Sequence, residues 1–432
     1  MKIIHQIVCL TLCLALFCTC AAAEVSLQPT DFAGQLRLNK SSETAKAEVT
    51  VKTFVDGDTT HFYVPADVSE SGVLRARYLA INTPEITGKV EEYGKKAAAF
   101  TREKLSAAES IIIESDNSKW NLDSTGSRHL VWVWYKLPGE SDYRCLNLEI
   151  LQNGLAIANS TANNRYGSTC MAALNQAKEQ KLHLYSGQKD PDFYYGAAVE
   201  LTMRELRTHL EDYNGIKVAF NGVVTMNRNQ SVYVESFDPD TGLYFGMPVY
   251  YGYGMSGAGL DILAVGNEVR IVGTLQYYEA GGTWQVSGLT YRMMKPNDPG
   301  NIQKISDGHS AAYAPVDAET FNGQVSVETN EGMKPFSWAQ LALGTTVSME
   351  GLTVTKAATT LTEDSTSYGA VTLFCMAEGV EVTVRTEPLY ENGSLITQDR
   401  YVGKSINVKG VVDYYDGAYQ IRVLIPEHIT IY

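Results

Sequence analysis

Cysteine is scarce in this 432-residue chain, and four of the seven (Cys9, Cys13, Cys18 and Cys20) crowd into its first twenty residues. Long apolar runs are also missing. The one that stands out, Ile7 to Phe17, is too short to span a bilayer. With Lys2 ahead of it and Ala21-Ala22-Ala23 behind it, residues 1–23 read as a signal peptide, so the mature chain is expected to be secreted or envelope-associated, without a transmembrane segment. A lipid anchor at Cys18 or Cys20 is the weaker alternative, because Phe17 and Thr19 stand where a small residue is wanted. The mature chain then keeps Cys145, Cys170 and Cys375 in an oxidising compartment. One bridge and one free thiol is the simplest arithmetic. Cys145 and Cys170 are the expected pair, because they fall in one putative domain. No Cys-x-x-Cys and no Cys/His cluster occurs, which excludes the usual zinc sites.

Positive charge is lacking too, with 35 Lys plus Arg against 49 Asp plus Glu. The shortfall is uneven. Residues 45–187 carry 16 basic against 17 acidic side chains, whereas residues 188–432 carry 16 against 29. The first region tolerates a polyanion and the second, at a net charge of -13, repels one.

What is present is strand-forming. Val, Thr and Tyr abound between Gly-punctuated turns, in a chain too long for one hydrophobic core. Residues 24–44 read as a polar tether. From Ala45 the alternation of Val49, Val51 and Thr53, the turn Asp56-Gly57-Asp58 and the return Thr59 to Val64 predict a hairpin. Leu74 to Ile81 predicts a strand enclosed on both faces, where Arg75 and Arg77 require an anion nearby. Glu92 to Leu105, Leu146 to Ala158 and Met171 to Leu184 predict helices, and Leu130 to Tyr135 a strand whose Trp132 and Trp134 belong to the core. The whole predicts a small barrel with helical cover over residues 45–187.

Beyond residue 188 the pattern repeats. Gly215 to Gly222 matches Gly344 to Gly351, and Val265 to Gly273, followed by Tyr277-Tyr278, matches Val402 to Gly410, followed by Tyr414-Tyr415. Two copies of one β module are predicted, over 188–300 and 321–432 with a linker at 301–320, the first led by a helix from Ala197 to Tyr213. Tyr244, Tyr250, Tyr251 and Tyr253 could form a stacking platform for single strands, but the acidity of this half argues instead for spacing, stability or attachment to a protein or cell-envelope component. Asp238 to Gly242 reads as a turn, since the later ligand positions of a calcium loop are missing.

The densest chemistry lies in Val55-Asp56-Gly57-Asp58-Thr59, Arg77 with Asn82-Thr83-Pro84-Glu85 five residues on, Tyr93-Gly94, Asp123 to Arg128, Gln152 to Ala156 and Gln176 to Leu182. Asp-Gly-Asp alone is a turn and Asn-Thr-Pro-Glu alone a helix start; Arg77 at its interval from Glu85 is what favours an active site. In this order the motifs resemble the thermonuclease (staphylococcal nuclease) family over about residues 45–187. The resemblance implies an OB-fold barrel with three helices, so the fold class is mainly β, with two OB-like modules following. It implies Ca2+-dependent hydrolysis of single-stranded DNA or RNA, with Asp58, Asn82 and the Thr83 carbonyl on the metal. Glu85 would act on the attacking water, and Arg77 and Arg128 on the phosphate. A hard cation takes oxygen ligands, and bidentate guanidinium suits phosphate.

Three departures from the family pattern stand out. Asn82 replaces the usual second aspartate. The loop Thr125-Gly126-Ser127-Arg128 has one residue more than usual, and the Lys-Tyr pair that grips a terminal phosphate is missing, with Arg165-Tyr166 as a candidate replacement. The alternative reading is a catalytically weakened nucleic-acid-binding or envelope-associated protein on the same fold. His61 and His129 are assigned no role.

Overall fold

The computed structural model describes residues 28–160, 163–279, 281–362, 365 and 367–432, so the predicted signal peptide lies outside the described residues. The fold is mainly β, 40% strand and 17% helix, built on five-stranded closed barrels.

In the first barrel, β1 (Lys46–Asp56), β2 (Thr59–Tyr63), β3 (Val73–Tyr78), β4 (Ser110–Glu114) and β5 (His129–Lys136) run in the order β3-β2-β1-β4-β5. β1 serves two neighbours: Lys46 to Val49 pair with β4, and Thr50 to Asp56 pair with β2 across register shifts. Such bulges sharpen twist and let one strand turn the corner of a small barrel. A parallel pairing of β3 with β5, Ala76 opposite His129 and Tyr78 opposite Val131, closes it. Inside lie Phe62, Leu74, Ile113, Val131 and Trp132, all fully buried.

Three helices cover this barrel: α1 (Gly94–Ser106), α2 (Leu146–Gln152) and α3 (Gly167–Glu179). α1 buries Ala97, Thr101 and Leu105, a four-residue stripe that aims one face inward. α2 ends sooner than expected, at Gln152, with Gly154 at φ 67° turning the chain beyond it, and Ile157–Ala158 becomes a short strand paired with Ile81–Asn82. α3 starts and stops before the predicted Met171 to Leu184. Trp132 and Trp134 are core residues, donating from Nε1 to Asp116 and Glu114 at 2.9 Å each.

Two more barrels follow with the same order. The first tail barrel is β6 (Lys217–Arg228), β7 (Ser231–Asp238), β8 (Leu243–Tyr250), β9 (Glu268–Tyr278) and β10 (Thr283–Ser287). The second is β11 (Thr346–Thr359), β12 (Val371–Ala377), β13 (Val380–Thr386), β14 (Ser405–Tyr415) and β15 (Ala418–Val423). The repeated tyrosine pairs occupy equivalent cross-strand places, Tyr277 opposite Trp284 and Tyr414 opposite Tyr419. The leading helix predicted over Ala197 to Tyr213 is only Met203–Thr208. The capping box of Thr202 and Glu205 starts it there, because Val199–Glu200 is already taken as a strand against β6.

Two segments expected to be loose are tied down. In the tether, Asp31 meets Arg144 at 2.7 Å, and Ala33 is fully buried. In the expected linker, Gln303–Ser306 pairs with β9 and Ala314–Pro315 with β11. The buried carboxylate of Glu235 accepts from the Ala312 N–H at 2.9 Å and the Thr346 N–H at 2.7 Å, joining the tail barrels through this strap. Turn-forming composition marks such a segment as irregular, but not as free.

The expected Cys145–Cys170 bridge is not formed: all three thiols are free and buried. Cys145 sits at the start of α2 and Cys170 inside α3, each fully enclosed in the first core. They serve as small apolar side chains in the packing of two helices. Burial pushes the Cys170 thiol up to about 12, which keeps it protonated and unreactive. Reductant is therefore expected to leave the thermal unfolding midpoint unchanged. Alkylation under denaturing, non-reducing conditions should find Cys145, Cys170 and Cys375 all as thiols.

Candidate active site

One end of the first barrel gathers the predicted residues. The turn joining β1 to β2 supplies Asp56 and Asp58, β3 supplies Arg77 opposite Thr59, and the segment after β3 supplies Asn82, Thr83 and Glu85. Arg128 immediately precedes β5. The strand predicted through Ile81 breaks at Ala80, whose φ of 66° turns the chain so that Ile81–Asn82 crosses the barrel mouth.

Asp58 organises this end. Its side chain is 1% exposed, and its carboxylate accepts from the Thr83 N–H at 2.8 Å and the Thr59 hydroxyl at 3.1 Å. Arg77 forms an ion pair with Asp58 through Nη1 and donates to Asn82 Oδ1 through Nη2. One guanidinium thus draws the two oxygens onto one point. Burial lowers the Arg77 pKa, against the carboxylate of Asp56, which raises it.

Gly57 is required by close approach. A Cβ there would come within 2.8 Å of Thr83 Cγ2 and 2.9 Å of Ala97 Cβ. The Gly57 carbonyl accepts from the Thr101 hydroxyl at 2.6 Å, so α1 clamps the turn. Gly94 meets the same kind of demand, since a Cβ there would lie 2.6 Å from the Glu85 carbonyl oxygen.

Glu85 lies beside Asp56, to which it is hydrogen-bonded. Burial, then the Asp56 charge, raises the Glu85 carboxyl to about 7; burial likewise raises Asp56, against the attraction of Arg77. The loop after Glu85 folds back, with the Glu91 N–H donating to the Glu85 carbonyl at 2.9 Å. Arg128 donates to Asp123 from Nε at 2.7 Å. Burial pushes Asp123 up, but hydrogen bonds from Thr125 and Arg128 outweigh it and hold the carboxyl low.

Asp58, Asn82 and the Thr83 carbonyl were expected to hold a cation. Among the described residues no group of three or more His, Cys, Asp and Glu side chains is gathered for a metal. The donors here are one carboxylate, one amide and backbone oxygen, a set that Ca2+ accepts. Two observations fit them to a cation. The Asp58 and Asn82 oxygens already converge on a positive group, and the buried Thr83 hydroxyl has no hydrogen-bond partner among the described residues.

Arg165-Tyr166 does not form the substitute phosphate grip. The Tyr166 ring meets Trp132 edge-on at 4.9 Å, and its hydroxyl donates to Glu114 at 3.2 Å, so it belongs to the core. The sequence reading gave no role to Asp56, the partner of Glu85, or Asp190, which accepts from the Tyr93 N–H at 2.6 Å ahead of α1. The first lay in the quoted motif; the second lies outside every motif.

Barrel order, helical cover and the carboxylate and guanidinium cluster at one barrel mouth together define an OB-fold domain built around a charged polar cleft. Residues 75–187 match the family model of staphylococcal nuclease homologues. The match takes in Arg77, Asn82, Thr83, Glu85 and Arg128 and begins after Asp58. No curated protein matches the chain.

Gly57→Ala is expected to push the turn away from Thr83 and α1 and to destabilise the protein by about 1–3 kcal/mol, the usual cost of overpacking. Urea unfolding checks this.

Proposed function

We propose that residues 45–187 form a phosphodiesterase that cleaves single-stranded DNA or RNA with Ca2+ bound at Asp58, Asn82 and the Thr83 carbonyl. The observation that carries this reading is the convergence of Asp58 and Asn82 on Arg77, with Glu85 and Asp56 paired alongside. The match of residues 75–187 to the family model of staphylococcal nuclease homologues supports it. Bound Ca2+ would supply positive charge against a phosphate oxygen and would orient water.

The chain's own residues do the rest. Arg77, between Asp58 and Asn82, presents planar donors to a non-bridging oxygen. Because Asn82 is neutral, this guanidinium is offset by one carboxylate at that contact rather than two. Arg128, oriented from behind by Asp123, offers the second cation for charge growing on the phosphorane oxygens. Glu85 accepts the proton of the attacking water, and its raised affinity for protons makes it a stronger base than an ordinary carboxylate. Secretion, which follows from the predicted signal peptide, would place the enzyme where Ca2+ is plentiful.

Glu85→Ser and Arg77→Ala are expected to lower the rate of cleavage by a factor of about a hundred or more, about 3 kcal/mol in barrier for each lost contact. Steady-state hydrolysis of a labelled single strand, with and without chelator, is the measurement. Full activity in chelator, or an unimpaired Glu85→Ser protein, overturns the reading.

Asn82→Asp separates the enzyme from the weakened binder. A charged ligand strengthens Coulomb attraction at a calcium site. The variant should therefore bind Ca2+ more tightly by calorimetry and need less of it for half-maximal rate, with little change at saturation. Activity that appears only in the variant favours the binding-protein alternative, and unchanged Ca2+ affinity removes Asn82 from the ligand set.

A further inference from the structure

The first tail barrel does not stand apart from the active site. A cleft of about 1020 Å³ is lined on one side by Glu85, Lys89 and Arg128 of the first domain and on the other by residues of the first tail barrel, tyrosines prominent among them. Its volume is at the upper limit of about 300–1,000 Å³ usual for small-molecule sites, which suits a stretch of polymer.

The tail also grips the loop that follows Glu85. The Gln276 side-chain amide donates to the Ile86 carbonyl, and a Cβ on Gly288 would lie 3.2 Å from the Gly88 carbonyl oxygen. Beside this seam Lys95 Nζ donates to the Asn214 carbonyl at 3.3 Å, and Arg102 pairs with Glu279. The wall and the carboxylate are therefore held in one frame.

Three tyrosines make the wall. The Tyr250 ring faces the backbone of Gly88, where a Cβ would sit 3.6 Å from Cε1. Tyr250, Tyr253 and Tyr278 all line the cleft. Tyr253 is 85% exposed, an aromatic ring left in solvent at the cleft rim. A phenol ring presents a flat face on which any base can stack.

Electrostatics that argue against the tail as a whole do not apply here. The basic residues of the cleft lining are Lys89, Arg128 and Arg228 and its one acid is Glu85, and each of the three cations also meets an acid outside the lining: Lys89 meets Glu91 at 3.4 Å, Arg128 meets Asp123 and Arg228 meets Glu387 at 2.6 Å.

We propose that Tyr250, Tyr253 and Tyr278 form a base-stacking wall for single-stranded nucleic acid, so that a strand is held by phosphate on the Arg128 side and by base on the tail side. This deepens the phosphodiesterase reading and rests on it for the phosphate side. The acidic tail is then substrate-binding machinery on the same chain as the catalytic barrel. It selects unpaired strands, because a base inside a duplex has no free face to offer.

The test uses the full chain in chelator, which prevents cleavage, and an end-labelled single-stranded DNA octamer against an abasic octamer of the same backbone, read by fluorescence anisotropy. The native protein should bind the base-bearing strand at least about tenfold more tightly than the abasic one. Tyr253→Ala, whose exposed ring supports no packing, should reduce that preference, and Tyr253→Ala with Tyr278→Ala should abolish it. Phe at both positions should restore it. A native protein without preference, or a Tyr253→Ala protein with undiminished preference, overturns the wall. Adding Ca2+ separates the two readings. A strand bound with base preference yet never cut leaves the wall and removes the phosphodiesterase. Equal cutting of both strands leaves the phosphodiesterase and removes the wall.

Discussion

A carboxylate taken out of water stays charged only if its oxygens are paired, and the first domain is arranged around that requirement at Asp58. Its partners come from separate parts of the chain: the Thr83 N–H from the segment crossing the barrel mouth, the Thr59 hydroxyl from β2 and the guanidinium from β3. Satisfying one buried group therefore sets the positions of Arg77, Asn82 and Glu85 relative to each other. Gly57 permits this, because the turn carrying Asp58 lies against Thr83 and Ala97 with no room for a side chain.

The same economy extends to the tail. Glu235, buried in the first tail barrel, takes two backbone N–H groups and the Thr346 hydroxyl from the strap and the second barrel. Val327, on a hairpin that follows the strap, is fully buried in the core of the first tail barrel. Through Gln276 and Gly288 that barrel reaches the loop after Glu85. Support thus runs from the second tail barrel through the first to the segment that carries Glu85, the kind of outer support that holds a site's side chains in register.

Much of this was readable from residue order alone. Strand periodicity located β1, β2, β3 and β5 of the first domain, and the equal spacing of Val265 to Tyr277 and Val402 to Tyr414 revealed the duplicated module. The candidate residues Asp58, Arg77, Asn82, Thr83, Glu85 and Arg128 could be named because their motifs, in order, carry the resemblance to the thermonuclease family. Local signals failed where tertiary contacts ended elements early. α2 stops at Gln152 and Ile157–Ala158 pairs with Ile81–Asn82, and the helix at Met203 is cut short by a strand against β6.

Sequence by itself determined the elements, the repeat and the residue types at the barrel mouth, since these depend on neighbours a few positions apart. Only the tertiary structure decided what lies across from what. Two cysteines in one domain look like a bridge until their helices are packed, and each then proves to be a buried apolar filler. Net charge summed over 245 residues hides a cleft lined by tyrosine and basic side chains, because charge acts over about one Debye length, and which residues lie within that distance is fixed by folding. Tyr250 and Glu85 are far apart in the chain and line the same cleft.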